Sequence, residues 1–421
     1  MSQLEQSYTT ESIDPTFRLL SGSIPDDVSL IVDPRYIYTS SDHLSQIQSI
    51  VLKIGVANKK PEKSSPQNVD VNLYNSVVAI LSDIKKITSK ASKTSDNSEI
   101  RDAANPFENI GNSVFINRAA VKLANIDAVF GVSGYQQDAI ENKSAQRKFY
   151  ADIAAGPGGF SEYLLWRNPD AFVFGITLKH KEGSPLNWRR DEFHMDIDLR
   201  RFQTTDGADG TGNLYNQKNI DEFVEFILSP TGTGEGVGVN LAVADGGLEV
   251  EDHTMKEIQS MQLLICQVMT ALRVIKVGGN FVCKYYSGVE KTTSDLFYIL
   301  SLMFRSICLF NPITSRPGNN EHYIICFDYL YGPTNYDKNI HKLLSTANTV
   351  FNRGKWVSSL ISSAIPQEFL DYITNMNNIM LTNQEKVVKT MLEMAQGRNP
   401  SVPSYDLLRC YQVWNIPYYN P

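Results

Sequence analysis

The stretch Asp152-Ile-Ala-Ala-Gly-Pro-Gly-Gly-Phe-Ser-Glu162 decides how this 421-residue chain is read. Ahead of it, Phe149-Tyr-Ala-Asp-Ile-Ala154 is apolar and short, as a buried strand is; behind it, Phe160 to Trp166 carries good helix formers. Gly156, Gly158 and Gly159 lack the Cβ atoms that would hold a ligand off the backbone, and they admit the dihedrals of a sharp turn. A small ligand is therefore expected on bare main chain. Dinucleotide sites share this strand, turn and helix, but they require Gly-x-Gly-x-x-Gly and an acid about 20 residues further on. Here the glycines run Gly-Pro-Gly-Gly, and the next apolar run, Ala171 to Thr177, ends in Thr-Leu-Lys-His-Lys without an acid. Both departures count against a dinucleotide.

Outward from this loop, apolar runs and helical periods alternate. A strand at Ala171–Thr177 is followed by a basic loop from His180 to Arg201, a Gly/Asp loop at Asp206–Asn213 and a helix at Ile220–Leu228. Then come a strand at Val239–Ala244, a helix at Met255–Val274, a strand at Gly279–Cys283, a helix at Thr293–Phe304 and a strand pair, Ile307–Phe310 with Tyr323–Phe327. Such alternation predicts an α/β fold, a mostly parallel sheet with helices on both faces, whose ligands collect beyond the C-terminal strand ends. Upstream, Val28 to Tyr38 reads as extended, Asp42 to Ile54 as helical, Val71 to Ile84 as a helix, and Phe115 to Asp127 as a helix with Arg118 and Lys122 one turn apart. Residues 1–99 form an N-terminal extension with loop or linker stretches at about 55–68 and 85–98, and 100–335 form the α/β domain. Residues 336–421 turn helical, at His341–Phe351, Pro366–Met376 and Leu381–Met394, and are expected to pack on the core.

Composition narrows the function. Hydrophobic residues make up 42% and charged residues 20%, which is the balance of a globular protein. No apolar run approaches the roughly 20 residues of a membrane helix, and Met1-Ser-Gln-Leu-Glu-Gln-Ser-Tyr8 is not a signal peptide. Cys266, Cys283, Cys308, Cys326 and Cys410 are scattered through apolar segments, so buried free thiols are expected rather than disulfides or a metal site, and with them a reducing compartment. A net charge of −7 excludes a protein coated in nucleic acid; any RNA contact must come from a local basic cleft.

Three strand ends carry charge. Asp245 follows Val239-Asn-Leu-Ala-Val-Ala244, Lys284 follows Gly279-Asn-Phe-Val-Cys283, and Glu321 opens the last strand after Ser315-Arg-Pro-Gly-Asn-Asn320. A lone lysine ending a buried strand usually snorkels to the surface. Two charged residues ending neighbouring strands beside a ligand loop fit that explanation less well.

Asp-x-x-x-Gly-x-Gly-Gly-Phe-Ser, beginning at Asp152, resembles the S-adenosylmethionine loop of the FtsJ-like ribose 2′-O-methyltransferases. In order and context, Lys122, Asp245, Lys284 and Glu321 match that family's Lys-Asp-Lys-Glu tetrad. The wording Phe-x-Asn-Arg-Ala-Ala-x-Lys, Ala-Gly-Pro-Gly-Gly-Phe-Ser-Glu-Tyr, Ala-Asp-Gly-Gly and Pro-Ile-Thr-Ser-Arg-Pro-x-Asn-x-Glu is similar to the eukaryotic and viral mRNA cap methyltransferases that act on the first transcribed nucleotide. The resemblance covers residues 100–330 well, and more weakly Leu407-Leu-Arg-Cys-Tyr-x-x-Trp-x-Ile-Pro417.

It implies a Rossmann-like methyltransferase fold on a seven-stranded sheet, with S-adenosylmethionine as cofactor and no metal. Ala155, Gly156, Pro157, Gly158, Gly159 and Phe160 would lie around its methionine and ribose, Asn117 near its carboxylate, and Asn213 and Leu214 near its adenine. Position 213 departs from the aspartate the family carries there. The resemblance also implies a capped mRNA 5′ end as partner, with Arg101, Arg316 and Asn319 meeting the cap or first nucleotides, and capping or transcription machinery as possible company in the nucleus or cytoplasm. Arg189, Arg190, Arg200 and Arg201 are open to two readings, contacts to RNA phosphates or a solvated loop.

The residue types suit the chemistry. A ribose hydroxyl is a weak acid and a methyl sulfonium is an activated electrophile, so alignment and removal of one proton are what the protein must supply. Lys284 is the candidate base and Lys122 the adjacent cation, while Asp245 and Glu321 orient both amines and oppose the fall in pKa that a base requires. Rival readings are 2′-O-methylation of ribosomal or transfer RNA, and an inactive methyltransferase fold serving as an RNA-binding subunit.

Overall fold

The computed structural model describes residues 37–40, 43–61, 66–91, 98–110, 114–134, 147–234, 237–250, 252–316, 318–402 and 406–417. The extended reading from Val28 lies outside these residues as far as 36, as do 92–97 of the expected linker. In chain order the strands are β1 (Ile37–Thr39), β2 (Leu52–Ala57), β3 (Phe149–Ile153), β4 (Phe172–Ile176), β5 (Phe202–Thr205), β6 (Val239–Ala244), β7 (Ile275–Tyr286), β8 (Phe304–Phe310), β9 (Glu321–Tyr329) and β10 (Trp356–Ile361). The α-helices are α1 (His43–Ser49), α2 (Val71–Ala91), α3 (Ser98–Ala103), α4 (Ala119–Phe130), α5 (Gly159–Arg167), α6 (Gln217–Leu228), α7 (Lys256–Val274), α8 (Lys291–Met303), α9 (Lys338–Asn352), α10 (Gln367–Ala395) and α11 (Leu407–Trp414).

The main sheet runs β1-β8-β9-β7-β6-β3-β4-β5. Strands β7, β6, β3, β4 and β5 are parallel, β9 runs antiparallel between β7 and β8, and β1 pairs antiparallel with β8. This is the expected α/β class, with eight strands where seven were expected. The eighth is β1, whose Tyr38 is buried edge-on against Phe369 with ring centroids 5.0 Å apart. That contact needs α10, more than 300 residues away in the chain, which is why the sequence around Tyr38 does not disclose it.

Strand parity builds the two core layers. Ala151, Ile153, Phe174, Ile176, Ala242, Ala244, Phe281 and Cys283 face one layer, with α6 to α10. Their neighbours Tyr150, Val173, Leu241, Val243, Val282, Tyr323 and Ile325 face the other, with α4, α5 and α11. Both faces are covered, so the central strands β3, β4 and β6 are near-continuous apolar runs, and each fully buried Leu, Ile or Phe contributes about 1.5–3 kcal/mol.

Three expectations change. The helix at Asp42 to Ile54 stops at Ser49, and Leu52–Ala57 becomes β2 because it pairs with β10. The stretch read as a linker from 85 is helical to Ala91; Val77 and Ile84 of α2 pack in one cluster with Val388 and Met391 of α10. The two C-terminal helices at 366–376 and 381–394 are one helix, α10, because Met380 and Leu381 carry its buried face across the gap. Strands β5 and β10 fall in gaps the sequence reading left unassigned, β5 between the loops ending at Arg201 and opening at Asp206, and β10 between the helices ending at Phe351 and opening at Pro366; a short polar strand such as Phe202-Gln-Thr-Thr205 carries little periodic signal.

C-terminal segments share the central core: Leu344, Leu360, Phe369 and Ile373 belong to the cluster of Leu300 and Phe304. Arg167 of α5 donates to the carbonyls of Trp414 at 2.6 Å and Asn415 at 2.9 Å, closing the end of α11. Among the described residues no helix is long and apolar enough to cross a membrane.

Candidate active site

Register places the charged strand ends side by side. Ile153 pairs with Ala244 and Ala244 with Cys283, so Ala154, Asp245 and Lys284 lie in a row across three parallel strands. Lys284 is not a strand end, as the sequence suggests: β7 continues to Tyr286 because β9 supports it, Lys284 facing Tyr323 and Tyr286 facing Glu321. Parity then decides direction. Asp245, Lys284 and Glu321 lie in step with Val243, Val282 and Tyr323, which face the layer covered by α4, and Lys122 is on α4.

All four side chains meet there. Lys122 Nζ donates to Glu321 Oε1 at 2.5 Å, and Lys284 Nζ lies 3.9 Å from Glu321 Oε2. Lys284 Nζ also donates to the Asp245 carbonyl at 2.6 Å and sits 2.9 Å from Asp245 Oδ1. Tyr323 Oη donates to Asp245 Oδ1 at 2.7 Å and lies 3.4 Å from Glu321 Oε1, tying the two carboxylates together. Ser315 Oγ adds a bond to Glu321 Oε1 at 3.2 Å.

Burial and charge compete at Lys284, and charge wins. Burial works to lower the pKa of Lys284, but the carboxylates of Asp245 and Glu321 outweigh it, and the amine is held above the ordinary lysine range. Burial pushes Glu321 the other way, yet Lys122 and Lys284 together hold its carboxyl well below the usual carboxylate range. Lys284 therefore rests as an ammonium and Glu321 as a carboxylate.

The glycine loop borders this group. Ala154 turns out of β3 with φ 57°, a left-handed value uncommon for a non-glycine residue and typical of functional turns. A Cβ on Gly246 would come within 2.8 Å of the Ala154 Cβ, and the rings of Phe160 and Tyr323 are 6.5 Å apart, so loop and charged cluster share one wall. The role of the glycines needs correcting. Gly158 has φ 117° and its missing Cβ faces Phe193 at 3.0 Å, while added Cβ atoms on Gly156 and Gly159 would strike the Leu186 carbonyl and Asn117 Oδ1. Protein packing, rather than open ligand space, requires glycine here.

Other expected cofactor residues fall on the same rim. Asn117 Oδ1 accepts from the Ala119 N–H at 2.9 Å and rests on Gly159. The Gly156 N–H donates to Thr177 Oγ1 at 2.9 Å, and Gly212 lies against the Thr177 carbonyl, which brings the loop of Asn213 and Leu214 to the far side of that threonine. Asn213 Oδ1 is engaged by the Tyr215 N–H at 3.0 Å, and Leu214 is buried. Asp152 at the base of the loop is fully buried; Ser161 donates to Oδ2 at 2.6 Å, and Oδ1 has no hydrogen-bond partner among the described residues. Burial, with the charge of Asp245 nearby, pushes the Asp152 carboxyl well above the ordinary carboxylate range, against the lowering bond from Ser161.

Of the expected RNA residues, Arg316 pairs with Glu108, which the sequence did not single out. Arg316 donates to it through Nε at 3.1 Å and Nη2 at 2.7 Å, Asn105 donates at 2.6 Å, and Arg118 also pairs with it. Burial would raise the Glu108 pKa, but these donors pull it down to about 2. Arg316 also lies 3.2 Å from Asp102, the neighbour of Arg101 on α3, and the Asn319 N–H donates to the Arg316 carbonyl at 3.0 Å. Two loop arginines behave differently from the phosphate reading. Arg200 is on Asp198 at 2.8 Å, and Arg201 donates to the carbonyls of Ala171, Asn168 and Leu165, closing the end of α5. Arg189 pairs with Glu192 on the exposed loop.

Tyr323 could have been found, since it lies two residues beyond Glu321 on one strand and so on the same face. Glu162 could not: its carboxylate accepts from the backbone N–H groups of Ile116 at 2.6 Å, His194 at 2.5 Å and Met195 at 3.0 Å, joining three distant segments over α5. Glu162→Ala leaves the buried Ile116 N–H and the half-buried Met195 N–H without this acceptor and is expected to lower unfolding free energy by about 2–4 kcal/mol, read from urea melts. An unchanged melt would remove Glu162 from the scaffold of the site.

With this geometry in place, the chain belongs to the FtsJ-like methyltransferase family, whose model matches residues 115–329. It is similar to Cap-specific mRNA (nucleoside-2′-O-)-methyltransferase 1 of Homo sapiens, 33% identical over 344 residues that cover 76% of this chain and 40% of that protein. The Mus musculus protein of the same name is 34% identical with the same coverage, and that of Dictyostelium discoideum is 31% identical over 75% of this chain and 43% of its own length. The chain thus spans about two fifths of the length of these relatives.

Proposed function

We propose that this protein transfers a methyl group from S-adenosylmethionine to the ribose 2′-hydroxyl of the first transcribed nucleotide of capped RNA. The observation that carries this is the meeting of Lys122, Asp245, Lys284 and Glu321, through contacts of 2.5 to 3.9 Å, beside the glycine loop. The names of its relatives supply the capped substrate.

Ala155 to Phe160, Asn117, Asn213 and Leu214 would hold the cofactor, with Asp152 buried at the base of their loop. When bound, it supplies an electrophilic methyl group. Lys284 faces the 2′-hydroxyl: in its neutral form it takes the proton, and the Asp245 carbonyl and carboxylate aim its nitrogen. Lys122 and Glu321 set the charge around it. Tyr323 bridges the carboxylates of Asp245 and Glu321. Arg101, Arg316 and Asn319 would meet the cap or the first nucleotides, with Arg316 held by Glu108.

The test gives methyl-labelled cofactor to short RNAs that differ only at the 5′ end and maps the labelled nucleotide. Label on the first ribose of capped RNA alone is expected. Label on internal riboses of ribosomal or transfer RNA, indifferent to the 5′ end, would move the enzyme to those substrates, and cofactor binding without transfer to any RNA would make it an inactive subunit. Arg101→Ala is expected to weaken capped RNA more than uncapped RNA; equal losses would take Arg101 out of the cap site.

A further inference from the structure

A third amine stands at this site. Lys256, the first residue of α7, places Nζ 4.3 Å from the centroid of the Tyr286 ring, and Lys284 Nζ is 5.9 Å from the same centroid. The two amines therefore flank one buried phenol. Unlike Lys122 and Lys284, Lys256 has no carboxylate within ion-pairing distance among the described residues. Gly247 roofs the pair: a Cβ there would come 2.7 Å from Tyr286 Oη and 3.1 Å from Lys284 Nζ.

The charges do not balance. After burial, Lys256 feels the field of Lys284, then those of Glu321, Lys122 and Arg101, and at the centre of the site the amines of Lys122, Lys256 and Lys284 face the carboxylates of Asp245 and Glu321. A local positive surplus in a chain of net charge −7 marks a place for an anion. Burial, followed by the charge of Lys284, lowers the pKa of Lys256, and an arriving anion would oppose that shift by favouring the ammonium.

We propose that Lys256 binds a phosphate of the RNA next to the reacting ribose, its ammonium steered by the face of Tyr286. The assignment rests on the functional reading above. Each lysine then has its own role, with Lys284 meeting the hydroxyl, Lys122 holding Glu321, and Lys256 meeting the backbone. An ammonium over an aromatic face keeps donors free for an oxygen anion, because the ring takes no proton from it.

The experiment measures the binding of a capped oligoribonucleotide to the 421-residue chain as a function of salt, for wild type, Lys256→Gln and Lys256→Arg, alongside steady-state methyl transfer. Lys256→Gln is expected to weaken RNA binding and raise KM roughly tenfold with kcat nearly unchanged. The log-log salt slope should shrink by about 0.7, the contribution of one phosphate on single-stranded nucleic acid. Lys256→Arg should restore the slope, and cofactor affinity should stay at the wild-type value in both. An unchanged slope overturns the proposal, and a fall in kcat with a displaced pH profile at unchanged slope overturns it in favour of a role on Lys284. Binding is read without methyl transfer, so an inactive wild type would overturn the functional reading alone.

Discussion

Lys284→Met is expected to lower methyl transfer by about 10²- to 10⁴-fold, the usual worth of a positioned base. Cofactor affinity should stay close to wild type, since Lys284 bonds to Asp245 and Glu321 and not to the glycine loop. The same assignment fixes the pH dependence. Asp245 and Glu321 hold the amine above the ordinary lysine range, so only a small neutral fraction exists near neutrality. That fraction grows about tenfold per pH unit, and log kcat should climb with a slope near 1 from about pH 7 to beyond 9. Single-turnover rates with saturating RNA check both. A rate that stays flat across this window, with the methionine variant still slow, would make Lys284 a permanent ammonium that stabilises the developing oxyanion and would end its role as base.

Glu321→Ala carries the second large effect, on both stability and rate. Glu321 is the ion-pair partner of Lys122 at 2.5 Å among the described residues, and it also faces Lys284. Removing it strands buried cations, for which a loss of about 3–5 kcal/mol in unfolding free energy is expected. The pH sign follows from its depressed pKa: the contribution is complete above the unfolded value near 4.3 and fades as pH falls toward the lower folded value. Urea melts should therefore show a wide gap between wild type and variant at about pH 7 that narrows below about pH 4. An equal gap at both values would place the stabilisation in packing instead of charge. Turnover should fall too, because Lys122 loses its anchor.

Much of the site was legible because strands obey a simple parity. Asp245 follows an apolar run, Lys284 and Glu321 lie in others, and the glycine loop announces where the ligand edge is. Alternation of apolar runs with helical periods was enough for the sheet and its parallel centre. Where the reading went astray, the missing information was pairing. Leu52–Ala57 is a strand because Trp356–Ile361 lies beside it, and residues 85–91 of α2 are helical because α10 covers Ile84.

The same division runs through the chemistry. Taken alone, the order of residues determined which groups could react and on which face of the sheet each strand residue points, since both follow from local spacing. Folding decided what those groups have for neighbours: that Tyr323 bridges two carboxylates, that Glu108 collects Arg118 and Arg316, that Lys256 comes to rest on Tyr286, and that Lys284 is a protonated amine. Charge state and partner depend on distances of a few ångströms between segments remote in the chain, and no local pattern encodes those distances.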